Sequence, residues 1–192
     1  MVFQSIAICL LFIFYACYFI KMLMQKKKGI QTDHIGKGKT GYVKIIEIVM
    51  KIASIAVPIT ELISILLNTG NLPAGFRIAG IIIAAFGDGF FVVAVLTMRD
   101  SWRAGVSENE RTELVTDGIF KISRNPAFLG FNLVYIGILC MFFNPVLLII
   151  SLCAIVSFHL QIVFVEEIFL VKVFGQDYIN YKNSVRRYLG RK

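Results

Sequence analysis

Five stretches of this chain are apolar over lengths close to the roughly 20 residues that cross a bilayer: 2–20, 45–67, 74–98, 127–143 and 145–165. Each predicts a helix, because in lipid a helix satisfies its own backbone polar groups. Between the first two, "KMLMQKKKGIQTDHIGKGKTGYVK" (21–44) reads as a Gly- and Lys-rich connection, with His34 a solvated loop residue. Asn125–Pro126 and Asn144–Pro145 mark helix starts, a side chain that caps free N–H groups followed by a residue whose φ is already helical. The fourth and fifth spans then form a hairpin with almost no loop. The helical pattern runs on through 166–174 and stops at Gly175. A second short helix follows over 177–189, with Tyr178, Tyr181, Val185 and Tyr188 on one face. In the polar stretch 99–126, "SENE" at 107–110 resembles a capping box. The expected architecture is all-α and integral to the membrane, with five transmembrane helices, a tight hairpin between spans four and five, and a C-terminal amphipathic cytoplasmic helix. Nothing repeats at a fixed period, so 1–192 reads as a single domain.

Composition agrees: 57% of the residues are hydrophobic and the mean hydropathy is +0.76. Of 20 Lys and Arg, seven lie in 21–44, five in 99–124 and six in 172–192, leaving only Lys51 and Arg77 elsewhere. The excess of basic residues in cytoplasmic loops sets the N-terminus outside and the C-terminus in the cytoplasm. The net charge of +8 is then topological, and a nucleic-acid partner is not expected. The first apolar run lacks a basic leading segment, so it reads as a span and not a cleaved signal peptide. With no retention signal at "LGRK", a bacterial or archaeal plasma membrane and the endoplasmic reticulum both fit. Cys9, Cys17, Cys140 and Cys153 sit in apolar runs without metal-ligand spacing, which predicts small buried hydrophobes and no metal site.

Several polar residues interrupt the spans. In the second, Pro58 is expected to kink the helix, and Glu61, near the outer end, to reach water. In the third, "AAFGDGFF" contains a GxG, but no strand precedes it; Gly80, Gly87 and Gly89 are read as small residues for close helix packing. Asp88 beside them has either a structural partner or a cavity role, since a mid-span carboxylate is costly alone.

The pair Glu166–Glu167 lies among Phe164, Val165, Ile168, Phe169 and Leu170, so at least one carboxylate should face a cavity or a cation. On an ideal helix His159, seven residues before Glu166, shares its stripe, whereas Glu167 points about 100° away.

"LVTDGIFKISRNPAFLG" (114–130) together with "EEIFLVKVFGQDYINYKNSVRRYLG" (166–190) resembles the integral-membrane methyltransferases of the isoprenylcysteine carboxyl methyltransferase family. The common pattern is a Gly-aromatic pair, an Arg-His-Pro-x-Tyr-x-Gly element, a helical hairpin, Glu-Glu, Phe-Gly and two tyrosines three apart. Asn125 stands where the family has His, and Phe128 where it has Tyr. The resemblance implies an enzyme that takes a methyl group from S-adenosylmethionine in a pocket of the motif-bearing half, about 99–192. A lipid-like, prenylated substrate would enter from the bilayer. Carried over by motif, the cofactor contacts are Leu114, Val115, Gly118, Phe120, Arg124, Asn125, Pro126, Phe128, Gly130, Glu166, Glu167, Tyr178 and Tyr181. Arg103, with Arg99 nearby, is the candidate for attracting a substrate carboxylate. Such an acceptor needs no base, being ionised already; an amine acceptor does, and His159 is the candidate for that role or, alternatively, a helix-packing residue. The competing readings are a phospholipid amine N-methyltransferase, an NADPH-dependent membrane lipid reductase with "RR" at 186–187 as its phosphate cluster, and a non-catalytic scaffold or transporter.

Overall fold

The computed structural model describes residues 1–70, 72–106 and 113–192. Among these it has seven α-helices: α1 (Val2–Lys27), α2 (Gly41–Leu66), α3 (Ala74–Met98), α4 (Pro126–Met141), α5 (Pro145–Gln161), α6 (Glu167–Phe174) and α7 (Gln176–Ser184). Four helical stretches are long and apolar enough to cross a membrane: α1, α2, Ala74–Ser101 and Pro145–Phe174. The fifth expected span, α4, has 16 residues. At about 1.5 Å per residue it reaches about 24 Å, short of a hydrocarbon core of about 30 Å. Phe12, Phe86 and Leu96 leave 72%, 64% and 68% of their surface uncovered, the outer face of an all-helical membrane protein and not of a soluble one.

α3 packs chiefly on α4, and α5 on α2. In the first seam backbone meets backbone. A Cβ added at Gly80 would lie 2.5 Å from Gly137 O, and one at Gly87 2.8 Å from Gly130 O. Both pairs are seven residues apart, two helical turns, so they share one face. Gly89 does not join them, since nothing lies within 4 Å of an added Cβ there. Beside the seam Phe14, Phe91 and Phe131 form an aromatic core, with centroids 4.4 Å apart for Phe14–Phe91 and 5.1 Å for Phe91–Phe131.

α2 runs unbroken through Pro58. Its buried stripe is Glu47, Met50, Val57, Glu61 and Ser64, recurring at helical spacing. Glu61 therefore does not reach water: it is fully buried, and neither carboxyl oxygen meets a donor among the described residues. Asp88 is buried likewise, on the inward stripe of α3 with Gly87 and Phe91. The cysteines are free, but Cys9 and Cys153 are exposed and Cys17 and Cys140 half-buried. They face outward, where lipid and not core surrounds them.

α1 continues to Lys27, so the first connection is shorter than its composition suggested. That connection is stitched to the segment after α3: His34 N donates to Ala104 O (2.9 Å), Ala104 N to Thr32 O (2.9 Å) and Gln25 Nε2 to Trp102 O (2.8 Å). His34 is consequently not solvated; it is buried, with Nε2 hydrogen-bonded to Gln31 O at 2.9 Å. The capping-box reading of 107–110 lies outside the described residues.

Candidate functional site

The polar residues of the C-terminal half converge where α3, α4 and α5 end or begin. A π-helical turn, Ile162–Glu166, separates α5 from α6. Such turns insert a residue into the helical register and recur at functional sites. The turn takes His159 off the stripe of Glu166: His159 instead bonds the Tyr188 hydroxyl through Nδ1 at 2.9 Å and stacks on its ring.

Glu167, 5% exposed, is held by three cations. Arg187 Nε lies 2.7 Å away, Lys182 Nζ 2.8 Å and Arg124 Nη1 3.1 Å. One carboxylate thus ties α6 to α7, to the C-terminal tail and to the entrance of α4. Hydrogen bonding to Glu167 raises the pKa of Arg187 further, so the guanidinium stays charged. Arg124 Nη1 also donates to the Tyr178 hydroxyl at 3.0 Å, while Arg124 Nε is buried with no acceptor.

The helix expected over 177–189 ends at Ser184, and Val185 is extended (φ −125°, ψ 139°). The tail is pulled straight by pairing with the segment before α4: Arg124 N donates to Arg186 O (3.1 Å) and Gly190 N to Ile122 O (2.7 Å). Asn125 Nδ2 donates to Arg187 O at 3.0 Å. Asn125 therefore does not cap α4 with its side chain, because its amide is committed to the tail. Asn144 does cap α5, accepting from Leu147 N at 2.9 Å. Gly175, at φ 54°, makes the expected turn between α6 and α7 in a conformation that favours glycine.

Two neighbouring cavities open here. The first, of about 170 Å³, is lined by Leu114, Val115, Phe120, Arg124, Asn125, Pro126, Phe128, Glu166, Tyr178 and Tyr181, together with Arg103. Both tyrosine hydroxyls are engaged, that of Tyr178 accepting from Arg124 Nη1 at 3.0 Å and that of Tyr181 donating to Phe120 O at 2.7 Å. Burial, partly opposed by Arg124, pushes the Tyr178 phenol up to about 12, and burial raises that of Tyr181 as well. Both remain protonated near neutrality. The second cavity, of about 530 Å³, has walls from α1 and α2 and is mostly apolar. The two share Trp102, Arg103, Gly105, Ala127, Phe128 and Glu166.

Of the candidate site residues singled out by sequence, four line neither cavity: Gly118, Gly130, His159 and Glu167. Gly118 faces Thr97, Gly130 is committed to the α3–α4 seam, and His159 lies with Tyr188. Glu167 braces the first cavity from behind Arg124. Sequence reasoning missed Trp102, which stands between the cavities at 4% exposure, and Arg187, whose signal was an Arg following the tyrosine pair. It also missed Glu47, fully buried, which accepts from Gly36 N at 2.5 Å and lies 3.5 Å from Gln161 Nε2. Among the described residues no group of three or more His, Cys, Asp and Glu is arranged to hold a metal ion.

A family model described as phospholipid methyltransferase matches residues 76–177, more than half of the chain, and the chain belongs to that family. It is similar to protein-S-isoprenylcysteine O-methyltransferase of Saccharomyces cerevisiae, 38% identical over 72 residues, covering 38% of this chain and 30% of the relative. Protein-S-isoprenylcysteine O-methyltransferase A of Arabidopsis thaliana is 31% identical over 108 residues, 55% of each chain. The Rattus norvegicus protein-S-isoprenylcysteine O-methyltransferase is 31% identical over 109 residues, 56% of this chain and 38% of the relative. The matched region thus spans between about a third and about half of these curated relatives.

Proposed function

We propose that the chain binds S-adenosylmethionine in the smaller cavity and methylates the carboxylate of a prenylated cysteine, or a similar amphiphile, seated in the larger one. The observation that carries this reading is the junction itself: a cavity lined by the motif residues Arg124, Asn125 and Glu166 and a larger, more apolar cavity meet at Trp102, Arg103, Phe128 and Glu166. A transfer between a polar donor and a lipid-like acceptor requires such a meeting point. The relatives' names support the isoprenylcysteine acceptor.

The residues fit the donor. Arg124 Nε, buried without an acceptor, suits the amino-acid carboxylate; Glu166 suits the ammonium or ribose; the rings of Tyr178 and Tyr181 suit adenine or sulfonium. Bound there, S-adenosylmethionine supplies an electrophilic methyl on sulfur. Arg103 orients the acceptor carboxylate, and Trp102 and Phe128 exclude water so that the anion is desolvated and in line. No residue removes a proton, since the acceptor is ionised at neutral pH. An amine acceptor requires a base, and the one imidazole in α5 lies with Tyr188, away from both cavities. The basic segments 21–44, 99–124 and 172–192 support a cytoplasmic site with the N-terminus outside, five spans, and α4–α5 as the tight hairpin.

The test is transfer of labelled methyl from S-adenosylmethionine by detergent-purified protein, offered S-farnesyl-N-acetylcysteine and phosphatidylethanolamine separately. Label on the farnesylcysteine and none on the phospholipid is expected. Label on phosphatidylethanolamine alone transfers the assignment to the amine.

A further inference from the structure

The larger cavity has four charged lining residues, Asp33, Lys51, Arg103 and Glu166. Arg103 and Glu166 also border the smaller one. Lys51 does not, and neither the motifs nor the proposed chemistry uses it. It lies ten residues into an apolar helix, about 15 Å from the start of α2, where an ammonium is costly without a purpose.

Its surroundings are built. Lys51 Nζ meets Asp33 Oδ2 at 2.9 Å, and Asp33 Oδ1 accepts from Ile35 N at 3.0 Å. Asp33 bridges to Ala104, the residue after Arg103, so Lys51 and Arg103 lie at one end of the cavity. From Lys51 the α2 wall continues as Ser54, Ile55, Pro58 and Ile59, the spacing of one helical stripe running about 12 Å along the apolar helix, with Ile55 and Ile59 more than half exposed and so open to the lipid side. The loop does not depend on Lys51 to hold it, because backbone bonds from His34 and Ala104 already fix it. An ammonium has three N–H donors; Asp33 takes one, leaving donors for a ligand oxygen.

Resting on the carboxylate-methylation reading, we propose that Lys51 is a specificity-determining residue. Its ammonium, steadied by Asp33, hydrogen-bonds the anionic head of an amphiphile whose chain lies along the Ser54–Ile59 stripe, and with Arg103 it selects acids over neutral or cationic heads.

The experiment measures methylation of S-farnesyl-N-acetylcysteine by wild type, Lys51→Met and Lys51→Arg, with S-adenosylhomocysteine affinity measured on each. It also compares inhibition of wild type by the non-reactive farnesylcysteine carboxamide and by a farnesylated sulfonate of equal length. The expected result is a KM for the acid raised about tenfold or more in Lys51→Met, the worth of one charge-assisted hydrogen bond. KM should recover in Lys51→Arg, and S-adenosylhomocysteine affinity should be equal in all three. Wild type should prefer the sulfonate to the amide by a similar factor. An unchanged KM in Lys51→Met, or equal inhibition by sulfonate and amide, overturns the assignment. Because the inhibitor comparison uses wild type alone, equal inhibition overturns the assignment even if Lys51→Met fails to fold. Wild type that methylates no acid, or binds no S-adenosylhomocysteine, fails the underlying reading instead, and is recognisable as such before any variant is made.

Discussion

Glu167 carries more of the structure than any other single residue at the polar end of the bundle. Three cations from three segments close on it within 3.1 Å, and removing a buried partner leaves the others uncompensated. Glu167→Gln should therefore destabilise the protein by about 3 kcal/mol, read as a lowered midpoint of thermal unfolding in detergent; a midpoint equal to wild type would show that the cations are satisfied by water. Glu166→Gln, by contrast, should leave the midpoint nearly unchanged and weaken S-adenosylhomocysteine binding about tenfold, measured on the same preparation. The divergence of adjacent glutamates was legible in sequence, because neighbours on a helix point about 100° apart. The partners were not: Arg187 is twenty residues from Glu167 and Arg124 forty-three, and the π turn that aims the pair leaves no mark in the apolar run around it. Asn125 was misread for a related reason, since a cap signal before proline says nothing of a carbonyl brought from the far end of the chain.

Among the elements, α3 and α4 depend on glycine as contact surface. A Cβ at Gly137 would lie 2.6 Å from both Ala84 N and Gly80 O, backbone that cannot turn aside. Gly137→Ala should cost about 1–3 kcal/mol by overpacking, whereas Gly89→Ala, with open space around it, should be neutral or slightly stabilising through helix propensity. Thermal unfolding of the two variants side by side checks the seam, and equal midpoints would contradict it. Apart from the seven further residues of α1, the ends of the long helices were readable to within four residues from apolar run length. What they face was less so: Gly80 and Gly89 look alike in a run of small residues, and Glu61 belongs to the buried stripe of α2 only once that stripe is known to pack inward. The last helix ends five residues early because its continuation is recruited as an extended tail by Ile122 and Arg124. Deleting residues 185–192 should accordingly abolish S-adenosylhomocysteine binding while the spans still fold, as followed by helical circular dichroism.

For the whole molecule, the proposed orientation, N-terminus outside and C-terminus cytoplasmic, rests on the basic segments. Ala74→Cys and Asn183→Cys, each in a background without the four native cysteines, should label oppositely with an impermeant maleimide on intact cells: Ala74→Cys from outside, Asn183→Cys only after permeabilisation. The reverse pattern would invert the orientation. Fold class and family membership were both legible in sequence, from run length and from the two C-terminal motifs. The larger cavity was not, since α1 and α2 carry no motif and its walls are assembled from residues that look like ordinary lipid-facing or core side chains. The central claim is that the cavity lined by Glu166 and Arg124 takes a sulfonium nucleoside cofactor, and a calorimetric titration of detergent-purified protein tests it most directly. S-adenosylhomocysteine should bind with an affinity of about micromolar order, at least about tenfold tighter than to Arg124→Ala, and NADPH should give no heat. Binding of NADPH alone, or of neither ligand, would contradict the account.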